Sequence, residues 1–108
     1  MSAQVAADLR AAADVLERDG WTQGDYHASD GCHCVVGAIE VATGYWTSSR
    51  PQHDLSVTAR RETAVDVFEA VLESPADTVF DWNDAPGRTA AEVIAALRAA
   101  ADRAEAES

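Results

Sequence analysis

The sequence predicts an all-α fold: a compact bundle of about four helices around one buried central helix, formed by a single domain over residues 1–108. Three observations predict it. Apolar residues recur at three- and four-residue steps in several stretches, which is the period of a helix buried on one side. Alanine-rich faces in these stretches permit close packing of helix against helix. No stretch is convincing as a strand, because residues 78–80 are too few.

The first predicted helix runs from Ser2, a candidate N-cap, to about Asp19, and Gly20 is placed to end it. Its apolar stripe is formed by Val5, Leu9, Ala12 and Leu16. The loop that follows carries Trp21 and Tyr26, and we expect both rings to fold back over the core because large rings contribute much buried area.

The second predicted helix runs from about Cys34 to Thr43 and ends at Gly44. It is apolar on almost every side, as expected for a central, buried helix. Gly37 lowers its helix propensity by roughly 0.5–1 kcal/mol relative to alanine. That cost predicts the close approach of another backbone, which we expect to belong to a neighbouring helix.

A loop over residues 45–54 precedes the third predicted helix, which begins near Leu55 and continues to about Glu73, with Pro75 ending it. The predicted buried face consists of Ala64, Phe68, Val71 and Leu72. The predicted water-facing residues are Arg60, Arg61, Glu62, Asp66, Glu69 and Glu73.

The start of the last helix is the most strongly specified part of the chain. Pro86 and Gly87 suit the two central positions of a type II turn. Thr89 then reads as an N-cap, and Glu92 three positions later completes a capping box. The helix is predicted to continue to about Glu105, with a frayed tail beyond it.

The charge balance narrows the class of partner. The chain has 19 acidic and 8 basic residues, all of the latter arginine, for a formal net charge of −11. Binding to a phosphate backbone depends on counterion release by Lys and Arg, so a nucleic-acid partner is not expected. Charges interrupt every apolar stretch before membrane length, and residues 1–4 lack the basic flank of a secretory signal. We therefore expect a cytoplasmic protein with no membrane partner.

A thiol site is one candidate for chemistry. Cys34 lies at the predicted start of a helix, where a thiolate is favoured. His53 or His27 would serve as the base, and Asn83 or Asp84 would orient it. The order Cys34, His53, Asn83 resembles that of papain-like cysteine enzymes, although the surrounding signatures do not match. A small thiol-dependent enzyme is therefore the alternative to a non-enzymatic protein.

The cluster at residues 32–34 is the only one with metal-ligand character, because thiolates and imidazoles suit zinc. A zinc set would be drawn from Cys32, Cys34, His27 and His53. Cys-x-Cys alone is a weak signal, and a free cysteine in an apolar helix usually behaves as a small buried hydrophobe. We expect the protein to bind no metal and no other cofactor. The alternative is a zinc ion bound by these four residues.

Three blocks carry a family resemblance: residues 19–26 (Asp-Gly-Trp-Thr-Gln-Gly-Asp-Tyr), 34–39 (Cys-Val-Val-Gly-Ala-Ile) and 82–89 (Trp-Asn-Asp-Ala-Pro-Gly-Arg-Thr). In that order they resemble an uncharacterised family of small proteins from actinobacteria and their phages, classed as a domain of unknown function. The resemblance implies a small helical domain and a source. It implies no activity, cofactor or catalytic residue. Cys34 falls in a matching block, whereas Cys32 and His33 match no pattern.

The favoured interpretation is a small acidic accessory protein, without enzymatic activity, that binds another protein, such as a host factor if the chain is phage-encoded. Whether it also forms a homodimer is left open. The candidate binding residues are Tyr45, Trp46, Trp82 and Arg88, because Trp, Tyr and Arg dominate interface energetics. Tyr45 and Trp46 lie in a polar loop and are expected to be exposed. A pocket for a small molecule, bounded by Trp82, Arg88 and the second helix, is a further alternative.

Overall fold

The structure, a computed structural model, describes residues 2–72 and 78–107. Over these residues the chain forms five helices: α1 (Ser2–Asp19), α2 (Val35–Thr43), α3 (Leu55–Ala70), α4 (Val79–Asn83) and α5 (Ala90–Ala106). Two short strands, β1 (Trp46–Thr47) and β2 (Arg50–Pro51), pair antiparallel between α2 and α3. The all-α prediction is confirmed. None of these helices is both long and apolar enough to cross a membrane.

Helices α1 and α5 pack antiparallel along their alanine-rich faces. The predicted stripe of α1 is buried, and so are Val93, Leu97, Ala101 and Ala104 of α5. Arg10 of α1 lies 2.9 Å from Asp102 of α5, whereas Arg98 of α5 pairs with Glu17 near the other end of α1. The exposed ion pairs therefore flank an apolar seam, and burial of that seam supplies most of the stabilisation.

Helix α2 is the central helix that its apolar sequence predicts, with Val35, Val36, Ala38 and Ile39 fully buried. The close approach predicted at Gly37 is confirmed, but the partner is different. A Cβ at Gly37 would lie 1.9 Å from the carbonyl oxygen of Tyr26, so the approaching backbone belongs to the loop before α2 and not to a helix.

Helix α3 ends at Ala70, earlier than predicted, and the end predicted at residues 73–75 lies outside the described residues. Ala64 and Phe68 are fully buried, as predicted. Two arginines expected to face water are instead half-buried in ion pairs. Arg60 lies 2.6 Å from Asp8, and Arg61 lies 2.6 Å from Glu40, because each carboxylate is buried and requires a charged partner.

The segment before α5 contains a short helix that the sequence did not predict. Residues predicted to have no regular structure form the short helix α4, which Thr78 caps by accepting a hydrogen bond from the backbone of Asp81. The turn that follows is as predicted, since Gly87 has φ of 83° and Arg88 N donates to Ala85 O at 3.1 Å.

The capping box of α5 is also confirmed. The side chain of Thr89 accepts a hydrogen bond from the backbone nitrogen of Glu92, and the side chain of Glu92 accepts one from the backbone nitrogen of Thr89. The turn and the cap together fix the direction in which α5 leaves α4.

Candidate functional site

The loop between α1 and α2 is built around His33. Its backbone nitrogen donates to Gly20 O at 3.0 Å, and its carbonyl accepts from Thr22 N at 3.0 Å. Bridges of β type connect His33 to Trp21 on one side and to His27 on the other. The loop thus forms a small ladder, which brings two histidine side chains together without a regular sheet.

Asn83 anchors this loop to the rest of the molecule. Its Oδ1 accepts from Trp21 Nε1 at 2.7 Å and from the backbone nitrogen of Val35, the first residue of α2, at 3.0 Å. Its Nδ2 donates to Thr22 O at 3.2 Å and to Asp84 Oδ1 at 2.9 Å. Because Asn83 is buried, these bonds satisfy the oxygen and the nitrogen of its side-chain amide, which have little access to water.

The three blocks that carry the family resemblance meet at this junction. Asp84 adds to it by accepting from Gly24 N at 3.0 Å, and Gln23 donates to Asn83 O at 3.1 Å. The side chains of the 82–89 block thereby hold the 19–26 block against the start of α2.

The histidine pair lies beside this junction. His27 Nδ1 and His33 Nδ1 are 2.9 Å apart, and the ring centroids are 5.1 Å apart, so the two nitrogens point at each other. The remaining nitrogens each meet a carboxylate: His27 Nε2 is 2.9 Å from Glu40 Oε1, and His33 Nε2 is 3.0 Å from Asp19 Oδ2. The result is a continuous hydrogen-bonded row of four side chains.

An arginine holds each end of the row. Arg61 Nε donates to the second oxygen of Glu40 at 2.6 Å, and Arg18 donates to both oxygens of Asp19 at 2.7 and 2.8 Å. The hydrogen bonds from Arg18 and His33 hold the pKa of Asp19 well below its usual range. Burial lowers the pKa of His27, although its hydrogen bond to Glu40 opposes that shift.

A cleft of about 380 Å³ opens over this row. It is lined by Tyr26, His27, Glu40, Tyr45, Trp46 and Pro51. Trp46 stacks on the imidazole of His27 with centroids 4.0 Å apart and planes 15° apart. Arg61 lies over the ring of Tyr45 at 5.0 Å, and Tyr26 stacks on Phe80 at 5.3 Å. We call this cavity the aromatic cleft.

The predicted binding residues fall into two groups. Tyr45 and Trp46 line the aromatic cleft, but both are half-buried, so the expectation that they are exposed is wrong: the ring of Trp46 is covered by His27 and that of Tyr45 by Arg61. Trp82 and Arg88 do not line it. The guanidinium of Arg88 lies 4.2 Å over the indole of Trp82 and its Nε donates to Trp82 O, so the two side chains cover one another.

The residues of the thiol alternative lie as follows. Cys34 caps α2, with its Sγ accepting from Gly37 N at 3.3 Å, and burial raises the pKa of its thiol. His53 is exposed in the segment before α3, and Asn83 is committed to the junction with the loop. Among the described residues, no hydrogen bond or ion pair joins any two of Cys34, His53 and Asn83.

The residues of the zinc alternative, Cys32, Cys34, His27 and His53, do not form one cluster among the described residues. Both cysteines are free thiols, and both nitrogens of His27 already have partners in His33 and Glu40. Across residues 2–72 and 78–107, no three His, Cys, Asp or Glu side chains form a group suited to hold a metal ion.

A larger groove of about 540 Å³ runs between α1, α3 and α5. Its lining is mostly small and apolar, and it contains two charged pairs that are closed on themselves, Arg60 with Asp8 at 2.6 Å and Arg103 with Glu107 at 3.5 Å. The aromatic cleft is smaller, but it brings together several aromatic rings, a perturbed histidine and a buried carboxylate, which are the features of a binding site.

Sequence reasoning missed three members of the row: Asp19, His33 and Glu40. One signal was present. Glu40 is the single charged residue inside a helix that is otherwise apolar on almost every side, so its burial and its need for a partner followed from the same pattern that predicted α2. The backbone pairing that places His33 beside His27 cannot be recognised from any comparable pattern in the sequence.

Comparison with known proteins gives one result. Neither the curated proteins nor the solved structures provide a significant match. The model of a family of unknown function, DUF6197, matches residues 1–103. With its three blocks joined at Asn83 and nearly its whole length covered by that match, the chain belongs to the DUF6197 family.

Proposed function

We propose that the protein acts by binding another protein, and that the aromatic cleft receives an arginine- or lysine-bearing segment of that partner. The observation that carries the proposal is the contrast between two parts of the cleft: its floor, formed by His27 and Glu40, and its walls, formed by Tyr26, Tyr45 and Trp46. The polar atoms of the floor are already paired, whereas the walls line the cavity with aromatic rings and two hydroxyl groups that are unpaired within the described part of the chain.

The floor argues for recognition rather than reaction. His27 uses Nδ1 for His33 and Nε2 for Glu40, and Glu40 uses one oxygen for His27 and the other for Arg61. A general base needs a nitrogen or oxygen within hydrogen-bond reach of the proton that it removes. His27 cannot offer a nitrogen to a ligand without breaking a bond that it already has, and the charge of Glu40 is already opposed by Arg61.

The walls supply what an interface needs. Tyr and Trp are enriched among the residues that dominate binding energy, and this cleft has Tyr26, Tyr45 and Trp46 around one concavity. Within the described part of the chain, the hydroxyls of Tyr26 and Tyr45 make no hydrogen bond. They can therefore bond with a partner, and a cation that enters the cavity lies among aromatic rings.

The negative net charge of the chain favours a positively charged partner. The formal net charge is −11, and at least seven of the eight arginines are already in ion pairs with carboxylates of the same chain. Complementary charge accelerates encounter and suppresses wrong partners. A second copy of this chain carries the same negative charge, which disfavours a homodimer across the cleft. We propose that the partner is a protein in the cytoplasm of an actinobacterium or of a phage-infected host.

Selection from a random peptide library displayed on phage tests the proposal. We expect enriched peptides that contain Arg or Lys next to an apolar residue, and a dissociation constant measurable by isothermal titration calorimetry. Tyr45→Ala and Trp46→Ala should each weaken binding by more than about 1–2 kcal/mol, the scale of interface hot spots. Tyr45→Phe, which removes only the hydroxyl, should have a smaller effect.

Arg88→Ala is the matched comparison, because Arg88 and Trp82 form the other candidate binding surface. The proposal requires Arg88→Ala to leave peptide affinity unchanged. If Arg88→Ala abolishes binding while Tyr45→Ala does not, the partner binds at the Trp82 surface. A library that yields no peptide dependent on Trp46 rejects the cleft as the binding site.

A further inference from the structure

The hydrogen bonds of His27 and His33 determine how many protons the two imidazole rings carry together. An ionised carboxylate only accepts, so His27 Nε2 and His33 Nε2 must each bear a proton toward Glu40 and Asp19. The Nδ1–Nδ1 contact of 2.9 Å then needs one proton between two nitrogens. Four nitrogens therefore hold three protons, one more than two neutral imidazoles carry.

We infer that His27 and His33 form a binding site for a single additional proton, and that the aromatic cleft keeps its shape only while that proton is bound. This inference rests on the proposed function for what the cleft receives. The proton comes from solvent and returns to it, and no other reactant is needed.

The charged groups around the pair favour one proton and no more. They are Arg18 and Asp19 of α1, Glu40 of α2 and Arg61 of α3, with Tyr26 and Tyr45 as the nearest phenols of the cleft. The two carboxylates stabilise one imidazolium between them. A second proton would place two N–H groups face to face, and the two arginines add to the repulsion.

Removing the proton is equally unfavourable for this arrangement. With both imidazoles neutral, either two nitrogen lone pairs face each other at 2.9 Å, or one ring turns a bare Nε2 toward a carboxylate. Each outcome sets acceptor against acceptor in a buried row, so the histidines must separate. Because His27 is the ring on which Trp46 stacks, separation changes the wall of the aromatic cleft.

Because the two rings share one proton, the protonation of one imidazole depends on the state of the other. Burial, and to a smaller extent the charge of His33, lowers the pKa of His27 and so opposes the uptake of a second proton.

Nitrogen-15 NMR of the free protein tests the proton site without any partner. Near about pH 6.5 we expect both Nε2 atoms to be protonated and a scalar coupling between the two Nδ1 nuclei across the shared proton. The ring resonances of Trp46 should shift when the shared proton is lost as pH rises. Both histidines titrating together in one step, or an unprotonated Nε2 at that pH, would overturn the inference.

Two further measurements separate the possible failures. His33→Gln should abolish the coupling and leave His27 with a single titration step, while exposed His53 provides an internal reference in the same spectra. Wild-type affinity for the selected peptide should fall by about tenfold, the equivalent of one pKa unit, once the shared proton is lost. A peptide bound equally well with and without that proton would refute the coupling to the cleft, whereas the absence of any bound peptide would refute only the proposed function.

Discussion

The side-chain oxygen of Asn83 lies 2.7 Å from the indole nitrogen of Trp21, although the two residues are 62 positions apart in the sequence. The same oxygen also bonds with the first backbone nitrogen of α2. One amide group thus connects the histidine loop, the central helix and α4. The geometry of the aromatic cleft depends on this connection, because the loop that carries His27 and Tyr26 is fixed at both ends by it.

Asn83→Ala should therefore destabilise the protein severely. It leaves the indole N–H of Trp21 and the amide of Val35 without an acceptor, at about 1–3 kcal/mol for each buried group left unsatisfied. The measurement is the free energy of unfolding in urea. Asp81→Ala in the same short helix is the control, since Asp81 is exposed and should change stability by less than about 0.5 kcal/mol. Equal losses in the two variants would contradict the role given to Asn83.

Gly37→Ala should destabilise, against the usual trend for a helix. Alanine at a helical glycine ordinarily stabilises by up to about 1 kcal/mol. Here the new Cβ would lie 1.9 Å from Tyr26 O, which is backbone and cannot turn aside. Denaturation should show a lower free energy of unfolding, and spectra should show displacement at Tyr26 and His27. A stabilised Gly37→Ala variant would mean that the loop does not pass this close to α2.

The stability contributed by the histidine pair should pass through a maximum with pH, because losing the shared proton and adding a second one each break the hydrogen-bonded row. On the acid side, the lowered pKa of His27 gives stability that is present above the unfolded pKa and lost as pH falls. Asp19, with its pKa well below the usual range, stays ionised throughout.

The measurement compares wild type and His27→Gln by urea denaturation from about pH 5 to pH 9, spanning the ordinary histidine value. The difference in free energy of unfolding should pass through a maximum. His53→Gln, which changes an exposed histidine, should run parallel to wild type. A difference that rises or falls steadily across the range would show that the two histidines titrate independently.

Cys34 should be unreactive in the folded protein. Its thiol is buried and its pKa is raised by that burial, so the thiolate that attacks iodoacetamide is scarce at neutral pH. In a Cys32→Ser background, alkylation followed by mass spectrometry should track unfolding in urea. Rapid alkylation without denaturant would instead support the thiol enzyme considered in the sequence analysis.

The sequence predicts this fold best where the determinants are local. The Pro86–Gly87 turn and the capping box at Thr89 were predicted correctly because each depends on a few neighbouring residues. The buried stripe of α1 and the burial of α2 follow from periodicity. Helix α4 was missed because five residues are too few to show a period, so only its cap at Thr78 marks it.

The candidate site was predictable only in part, because its geometry is non-local. Tyr45 and Trp46 were identified as binding residues from their type, but their half-burial depends on His27 and Arg61, which come from other segments. The pairing of His27 with His33 requires the loop register around His33, and no pattern in composition or spacing encodes it.

The bonds of Asn83 also set an order of events. Trp21, Thr22 and Val35 bond with a side chain that comes 48 to 62 positions later, so the loop between α1 and α2 cannot complete its contacts early. During synthesis, α1 and α2 emerge well before the amide that joins them to the loop. Closing such a long loop is slow relative to forming a helix. The histidine loop should therefore be among the last parts of the molecule to become ordered, and the aromatic cleft exists only once the chain beyond α3 has arrived.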